Sequence, residues 1–218
     1  MKTNLHTNTE NTWNLYTDTQ KVDGEKLEYE IIFGNENIVF IKAGAGGDAR
    51  GYENKYIKMA QRVHERIGAT VICASNPFVE HEKIDEQKIR WVVSELGFEK
   101  FNLYLLGTSD GAYQNIHLAK RFPETVKWIG VNSSFISIEG FEEHLSELSS
   151  VQKILVYGTE DDDYDIVFPA LTEKEYKNQK IYLIKGADHR FTNMLPQFIQ
   201  TIDLIYQEGM DEPTKDEK

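Results

Sequence analysis

The chain has 218 residues, 40% of them hydrophobic and 28% charged, with a formal net charge of −12. That balance is ordinary for a soluble globular domain, and its sign argues against nucleic acid or an anionic membrane as partner, since phosphates are held by clustered Lys and Arg. No apolar run reaches the roughly 18 residues needed to span a bilayer, the polar opening residues lack a signal-peptide core, and the single cysteine, Cys73, permits no internal disulfide, so a cytoplasmic protein is expected.

In chain order, short β-branched runs predict strands at Trp13–Thr17, Leu27–Phe33, Ile38–Lys42, Thr70–Ala74, Asn102–Leu106, Val126–Val131, Lys153–Tyr157 and Ile181–Ile184. The first three follow one another closely, joined at the turn formers Asp23-Gly24 and Gly34-Asn35, which reads as a hairpin-like start. From the third strand onward each is followed by a helical pattern. Examples are Tyr52–Ile67, Ile84–Leu96, Ala112–Arg121 and Phe191–Tyr206, the last with an apolar stripe at i, i+3, i+4 spacing. Cys73 lies inside an apolar strand and reads as a small buried hydrophobe. The pattern predicts an α/β domain over residues 13–207, with a mostly parallel eight-stranded sheet and helices on both faces. Residues 1–12 and the acidic stretch 208–218 are expected to be flexible tails.

In such sheets ligands bind where the carboxyl ends of strands enter the helices, and several of these ends carry unusual residues. The fifth strand runs into Gly107-Thr108-Ser109-Asp110-Gly111, a G-x-S-x-G between strand and helix. A serine on so tight a turn projects its Oγ clear of the sheet, and the flanking glycines let neighbouring backbone approach. Ser109 is the candidate nucleophile; the bland alternative is a helix start capped by Ser109 or Asp110.

After the third strand comes Ala43-Gly44-Ala45-Gly46-Gly47-Asp48. As an oxyanion loop it would offer the Ala45 backbone N–H, with Gly44 and Gly46 shaping the turn, to work beside the N–H of Asp110. Gly44 to Ala49 also fits G-x-G-x-x-A, a dinucleotide-binding turn. That fingerprint wants an acid at the end of the next strand, which here ends Cys73-Ala74-Ser75-Asn76-Pro77, and it wants the first strand of its unit, whereas two precede this one.

Of the six histidines, His6 is in the tail, and His64, His117 and His144 fall within helical patterns. His81 lacks the second histidine of a zinc H-E-x-x-H site. His189 follows the last strand through Lys185-Gly186-Ala187-Asp188 and so belongs to the same sheet edge as Ser109, which makes it the candidate base. The acid is expected in Gly158-Thr159-Glu160-Asp161-Asp162-Asp163-Tyr164-Asp165, with Asp161 the first choice and Asp162, Asp163 and Asp165 its rivals.

With Ser109, Asp161 and His189 in that chain order, the sequence resembles the α/β-hydrolase superfamily over roughly residues 13–207. The resemblance rests on Gly107 to Gly111, Gly158-Thr159-Glu160-Asp161 and Gly186-Ala187-Asp188-His189, with Asp23 to Tyr29 similar to that family's entry to its second strand. Where many members carry His-Gly after the third strand, this chain has Ala43-Gly44. The resemblance implies a Ser-His-Asp hydrolase acting on a small-molecule acyl ester or thioester, without metal or organic cofactor. Lyases, transferases and catalytically idle binding proteins share the fold and stay open, as does the nucleotide-dependent oxidoreductase suggested by the glycine loop. Little more than residues 135–150 separates the sixth and seventh strands, room for one helix and no cap domain, so an open site lined by Phe78, Tyr113 and Phe135 is expected.

Overall fold

The computed structural model describes residues 15–133, 138–165, 169 and 178–207; the expected tails, the strand start at Trp13 and the side chain of Phe135 lie outside them. Strands β1 (Leu15–Val22) and β2 (Glu25–Ile32) pair antiparallel around Asp23-Gly24, whose φ values of 50° and 90° suit a tight hairpin turn. β1 runs five residues beyond the apolar segment that predicts it. It is an edge strand whose Asp18, Gln20 and Lys21 need no apolar partner.

Six further strands complete one sheet: β3 (Asn35–Lys42), β4 (Ala69–Ala74), β5 (Asn102–Thr108), β6 (Thr125–Val131), β7 (Gln152–Gly158) and β8 (Gln179–Ile184). Their order is β1-β2-β4-β3-β5-β6-β7-β8, with β2 antiparallel to β4 and all later neighbours parallel. The eight-stranded, mostly parallel α/β architecture is the one expected. Gly34-Asn35 does not close a hairpin, however, because β4 is inserted between β2 and β3. The chain crosses beside the start of β4 there. A Cβ on Gly34 would lie 2.2 Å from Gly68 O, while the Asn35 backbone N–H donates to Gly68 O at 2.7 Å and its Nδ2 to Ile67 O at 2.7 Å. Glycine is used here for close backbone approach rather than for a hairpin turn.

The described helices are α1 (Lys55–Ile67, after a 3-10 turn at Tyr52–Asn54), α2 (Glu82–Glu95), α3 (Asp110–Arg121), α4 (Ile138–Glu147) and α5 (Leu195–Gln200). α4 occupies the β6–β7 connection, as the short spacing predicts. The single helix expected over 191–206 is divided: Phe191 and Asn193 have φ of 57° and 58°, α5 starts beside Pro196, and a 3-10 turn follows at Thr201–Ile205. Proline lacks an N–H and restricts the residue before it, so it begins the helix and cannot lie inside it.

Alternate residues of the central strands feed two cores. Phe40, Ile72, Leu105, Trp128 and Leu155 pack with Ile89, Val92 and Ile116 of α2 and α3, while Ile41, Cys73, Leu106, Ile129 and Val156 pack with Met59, Val63 and Phe198 on the opposite face. Burial on both faces explains why these strands read as unbroken apolar runs. Cys73 is buried as expected, and burial pushes its thiol up. No helix among the described residues is long and apolar enough to cross a membrane. Because β3 to β8 run parallel, their carboxyl ends share one edge of the sheet.

Candidate active site

Ser109 stands between β5 and α3 with φ 52° and ψ −127°, a backbone region that a Cβ disfavours. Its N–H donates to Val131 O at the end of β6, 2.9 Å away, and its carbonyl accepts the Ala112 N–H at 3.0 Å. Two glycines permit this turn by close packing. A Cβ on Gly107 would lie 2.4 Å from the Ala112 backbone, and one on Gly111 would lie 2.1 Å from Ala43 O. The spacing of the motif is therefore a set of steric requirements met by this chain.

The β7 and β8 ends bring the other two groups. The Ser109 hydroxyl donates to His189 Nε2 at 3.0 Å, and the His189 Nδ1–H donates to Asp161 Oδ2 at 2.9 Å. Asp161 is buried, and its second oxygen accepts the Asp163 backbone N–H at 2.9 Å. Of the four rival carboxylates, Asp161 is thus the one against the imidazole. His189 is held above the ordinary histidine value, first by its hydrogen bond to Asp161; partial burial opposes, and the charges of Asp161, Asp163 and Asp162 add to the rise. A network that favours imidazolium prepares His189 to take a proton.

Sequence reading missed Asn132, which knits these loops together. Buried at the end of β6 with φ 43°, its Nδ2 donates to the carbonyls of Asp188 and His189 at 3.0 and 3.1 Å, and its Oδ1 accepts the Gly158 N–H at 2.8 Å. The only sequence signal is a polar residue ending an apolar strand. Gly158 is required for a second close approach, since a Cβ there would lie 2.1 Å from Ala187 O.

The loop after β3 reaches the elbow. A Cβ on Gly44 would lie 3.3 Å from the Ser109 Cβ, so Gly44 stands directly against the serine. The Gly46 and Gly47 N–H groups donate to Asn76 O and Gly44 O at 2.7 and 2.9 Å, while Ala45, just before them, is exposed. A cleft of about 590 Å³ opens beside Ala45 and Asp110, lined further by Asn76, Phe78, His81 and Gln114. Phe78 is 81% exposed on its rim, and the space a Cβ on Gly46 would need is taken by that ring. Tyr113 is not among the lining residues. It packs instead edge-on against His117, 5.0 Å between ring centroids, and beside His144 of α4, 6.0 Å away.

The remaining described histidines have partners outside the line from Ser109 to Asp161, His81 among them although it also lines the cleft. His64 bonds Ala69 O, His117 and His144 pack ring to ring, and His81 donates to Val79 O, with burial lowering its pKa. The glycine loop does not lead directly into a helix, because α1 begins only at Lys55 beyond the 3-10 turn. The helix that follows the loop therefore does not present its own N-terminus there, as a dinucleotide-binding turn requires. Among the described residues one grouping brings three residues of metal-ligating type together, Asp161, Asp163 and His189, within 4.8 Å. Two of its members are already engaged with each other and with Ser109.

No protein-family model and no curated protein sequence matches the chain. Solved structures do. Est1E from Butyrivibrio proteoclasticus is similar at a TM-score of 0.65 and 15% identity, over 86% of this chain and 96% of that one. An alpha-beta serine hydrolase homologue from Coxiella burnetii gives 0.65 and 16%, over 88% and 97%. A serine hydrolase without a lid from Xanthomonas campestris gives 0.58 and 16%, over 88% and 93%. The chain has the α/β-hydrolase fold.

Proposed function

We propose that this chain is a serine hydrolase that cleaves a carboxylester or thioester through an acyl-enzyme. The observation that carries the reading is the continuous line from the Ser109 hydroxyl through His189 to buried Asp161, at 3.0 and 2.9 Å. Three side chains from three separate loops have no packing reason to meet in this way at a strained serine.

In this reading His189 takes the Ser109 proton as Oγ attacks the acyl carbon, and Asp161 stabilises the imidazolium that results. The Ala45 and Asp110 N–H groups receive the developing oxyanion, helped by the N-terminus of α3. His189 then returns the proton to the leaving alcohol or thiol. Water, activated by the same imidazole, releases the acid and restores Ser109. The cleft beside Ala45 and Asp110, with Phe78 on its rim, is where the substrate would lie. Its open mouth suits small acyl groups or the ends of larger molecules.

A fluorophosphonate probe tests the reading. Labelling of the wild-type chain that is abolished in Ser109→Ala is the expected result, followed by turnover on a panel of chromogenic esters and thioesters. A folded wild-type chain that takes no label would overturn it in favour of an idle binding protein.

A further inference from the structure

The two N–H groups assigned above to the oxyanion come from separate loops, so their spacing must be set by something that touches both. Asn76, only 1% exposed at the end of β4, does so. Its backbone forms a reciprocal pair with the glycine loop: the Gly46 N–H donates to Asn76 O at 2.7 Å, and the Asn76 N–H donates to Gly47 O at 2.8 Å. Its side chain turns to the other arm, where Nδ2 donates to Asp110 Oδ2 at 3.0 Å. Gln114, one turn along α3, closes the triangle by donating through Nε2 to Asn76 Oδ1 at 3.0 Å and to Asp110 Oδ2 at 2.8 Å. The orientation of both amides follows, because the carboxylate can only accept.

A second link crosses beneath the same gap. Tyr56, buried on α1, shares a 2.7 Å hydrogen bond with Thr108 Oγ1, the residue before Ser109, while the Gly44 backbone N–H, the residue before Ala45, faces its phenol oxygen. The ring is seated edge-on against Phe198, 6.1 Å between centroids. One buried polar side chain thus holds the loops from the cleft side and another from the core side. Neither is part of the line from Ser109 to Asp161.

We propose that Asn76 and Tyr56 are positioning residues that fix the distance between the Ala45 and Asp110 N–H groups, and with it how tightly a tetrahedral oxyanion is held. The inference rests on the serine-hydrolase reading above. A donor pair acts on the transition state only when both members point at one oxygen, so loosening either arm removes transition-state binding while leaving ground-state binding in place.

The test is p-nitrophenyl acetate hydrolysis by the full chain, with the affinity of a phenyl trifluoromethyl ketone, whose adduct with Ser109 carries the oxyanion, measured in parallel. Asn76→Ala is expected to lower kcat by about 10- to 100-fold with KM within about twofold, since small misplacements of preorganised groups have effects of that order. The ketone should weaken by the same factor, and the acidic limb of the pH profile should stay in place because His189 and Asp161 are untouched. Tyr56→Phe, which keeps the buried ring, should show a smaller loss with the same parallel and carries the test if Asn76→Ala does not fold. Unchanged kcat in a folded variant, or a fall in kcat without matching loss of ketone affinity, overturns the inference while wild-type labelling of Ser109 stands. An unreactive wild-type chain would instead remove the hydrolase reading, and this inference with it.

Discussion

Asp161 meets His189 across 28 positions of sequence, Oδ2 to Nδ1 at 2.9 Å, while its acidic neighbours are not hydrogen-bonded to that ring. The relationship singles out one carboxylate from a cluster. Asp161→Asn should lower kcat on a chromogenic ester by a factor on the order of 10⁴, because an amide cannot hold the same imidazole tautomer or stabilise its charged form. Asp162→Asn and Asp165→Asn should each stay within about threefold of wild type, as expected for solvent-facing charges. A larger loss at either of these than at Asp161 would show that another carboxylate serves the base.

The pH dependence follows from the same contact. His189 is raised above the ordinary value, first by its hydrogen bond to Asp161, and it acts as a base only when neutral. The acidic limb of kcat/KM should therefore rise with pH through a midpoint above the ~6.5 of a free imidazole. For folding the sign is opposite. The raised pKa contributes stability that is fully present below the unfolded-state value and is lost as pH rises through the folded-state value. Residual activity of Asp161→Asn measured across pH should show the limb displaced downward. A limb below the free-imidazole value in the wild type would contradict this account.

The elbow stores strain that a stability measurement can read. At φ 52° and ψ −127° the Cβ of Ser109 is unfavourable, and only glycine occupies this region freely. Ser109→Gly should be more stable than Ser109→Ala by about 1–3 kcal/mol in urea denaturation, with both inactive. Equal stabilities would mean that the turn relaxes once the hydroxyl is gone.

Beneath the glycine loop, fully buried Lys42 donates to Ser75 O and to Asp85 Oδ2, both at 2.7 Å, and the Tyr29 hydroxyl donates to Asp85 Oδ1 at 2.8 Å. Burial pulls the ammonium down in pKa, and the adjacent carboxylate opposes. Lys42→Met leaves the buried Asp85 carboxylate without its ammonium, with only the Tyr29 hydroxyl and, 3.6 Å away, His81 Nε2 beside it, and should cost up to about 3–5 kcal/mol, whereas Lys42→Met with Asp85→Leu should recover much of that loss. Equilibrium unfolding of the two variants decides the matter: a double variant no better than the single one would show that the pair is not the source of the cost.

What could be read in advance, and what could not, divides along physical lines. Elements buried on both faces, such as β3 and β5, announce themselves as unbroken apolar runs, because each position must be desolvated whatever the partner. The polar continuation of β1 and the division of the last helix at Pro196 are weaker signals, set by edge pairing and by one missing N–H. The crossing at Gly34 departs from the expected hairpin because a glycine needed for close approach looks the same in sequence as one needed for a turn.

The site divides in the same manner. The strained serine turn, the histidine loop and the acidic loop are each local, since strand, turn and helix signals place them at carboxyl ends of parallel strands, and those ends share an edge. Which aspartate faces the imidazole depends on a few ångströms of loop path and was settled only by contacts such as Asn132 with the His189 loop and Gly158. Asn76 and Tyr56 carry no motif at all. A hydrogen bond between residues dozens of positions apart leaves no periodicity behind, so only the folded chain reveals which polar side chains hold the two sides of the cleft.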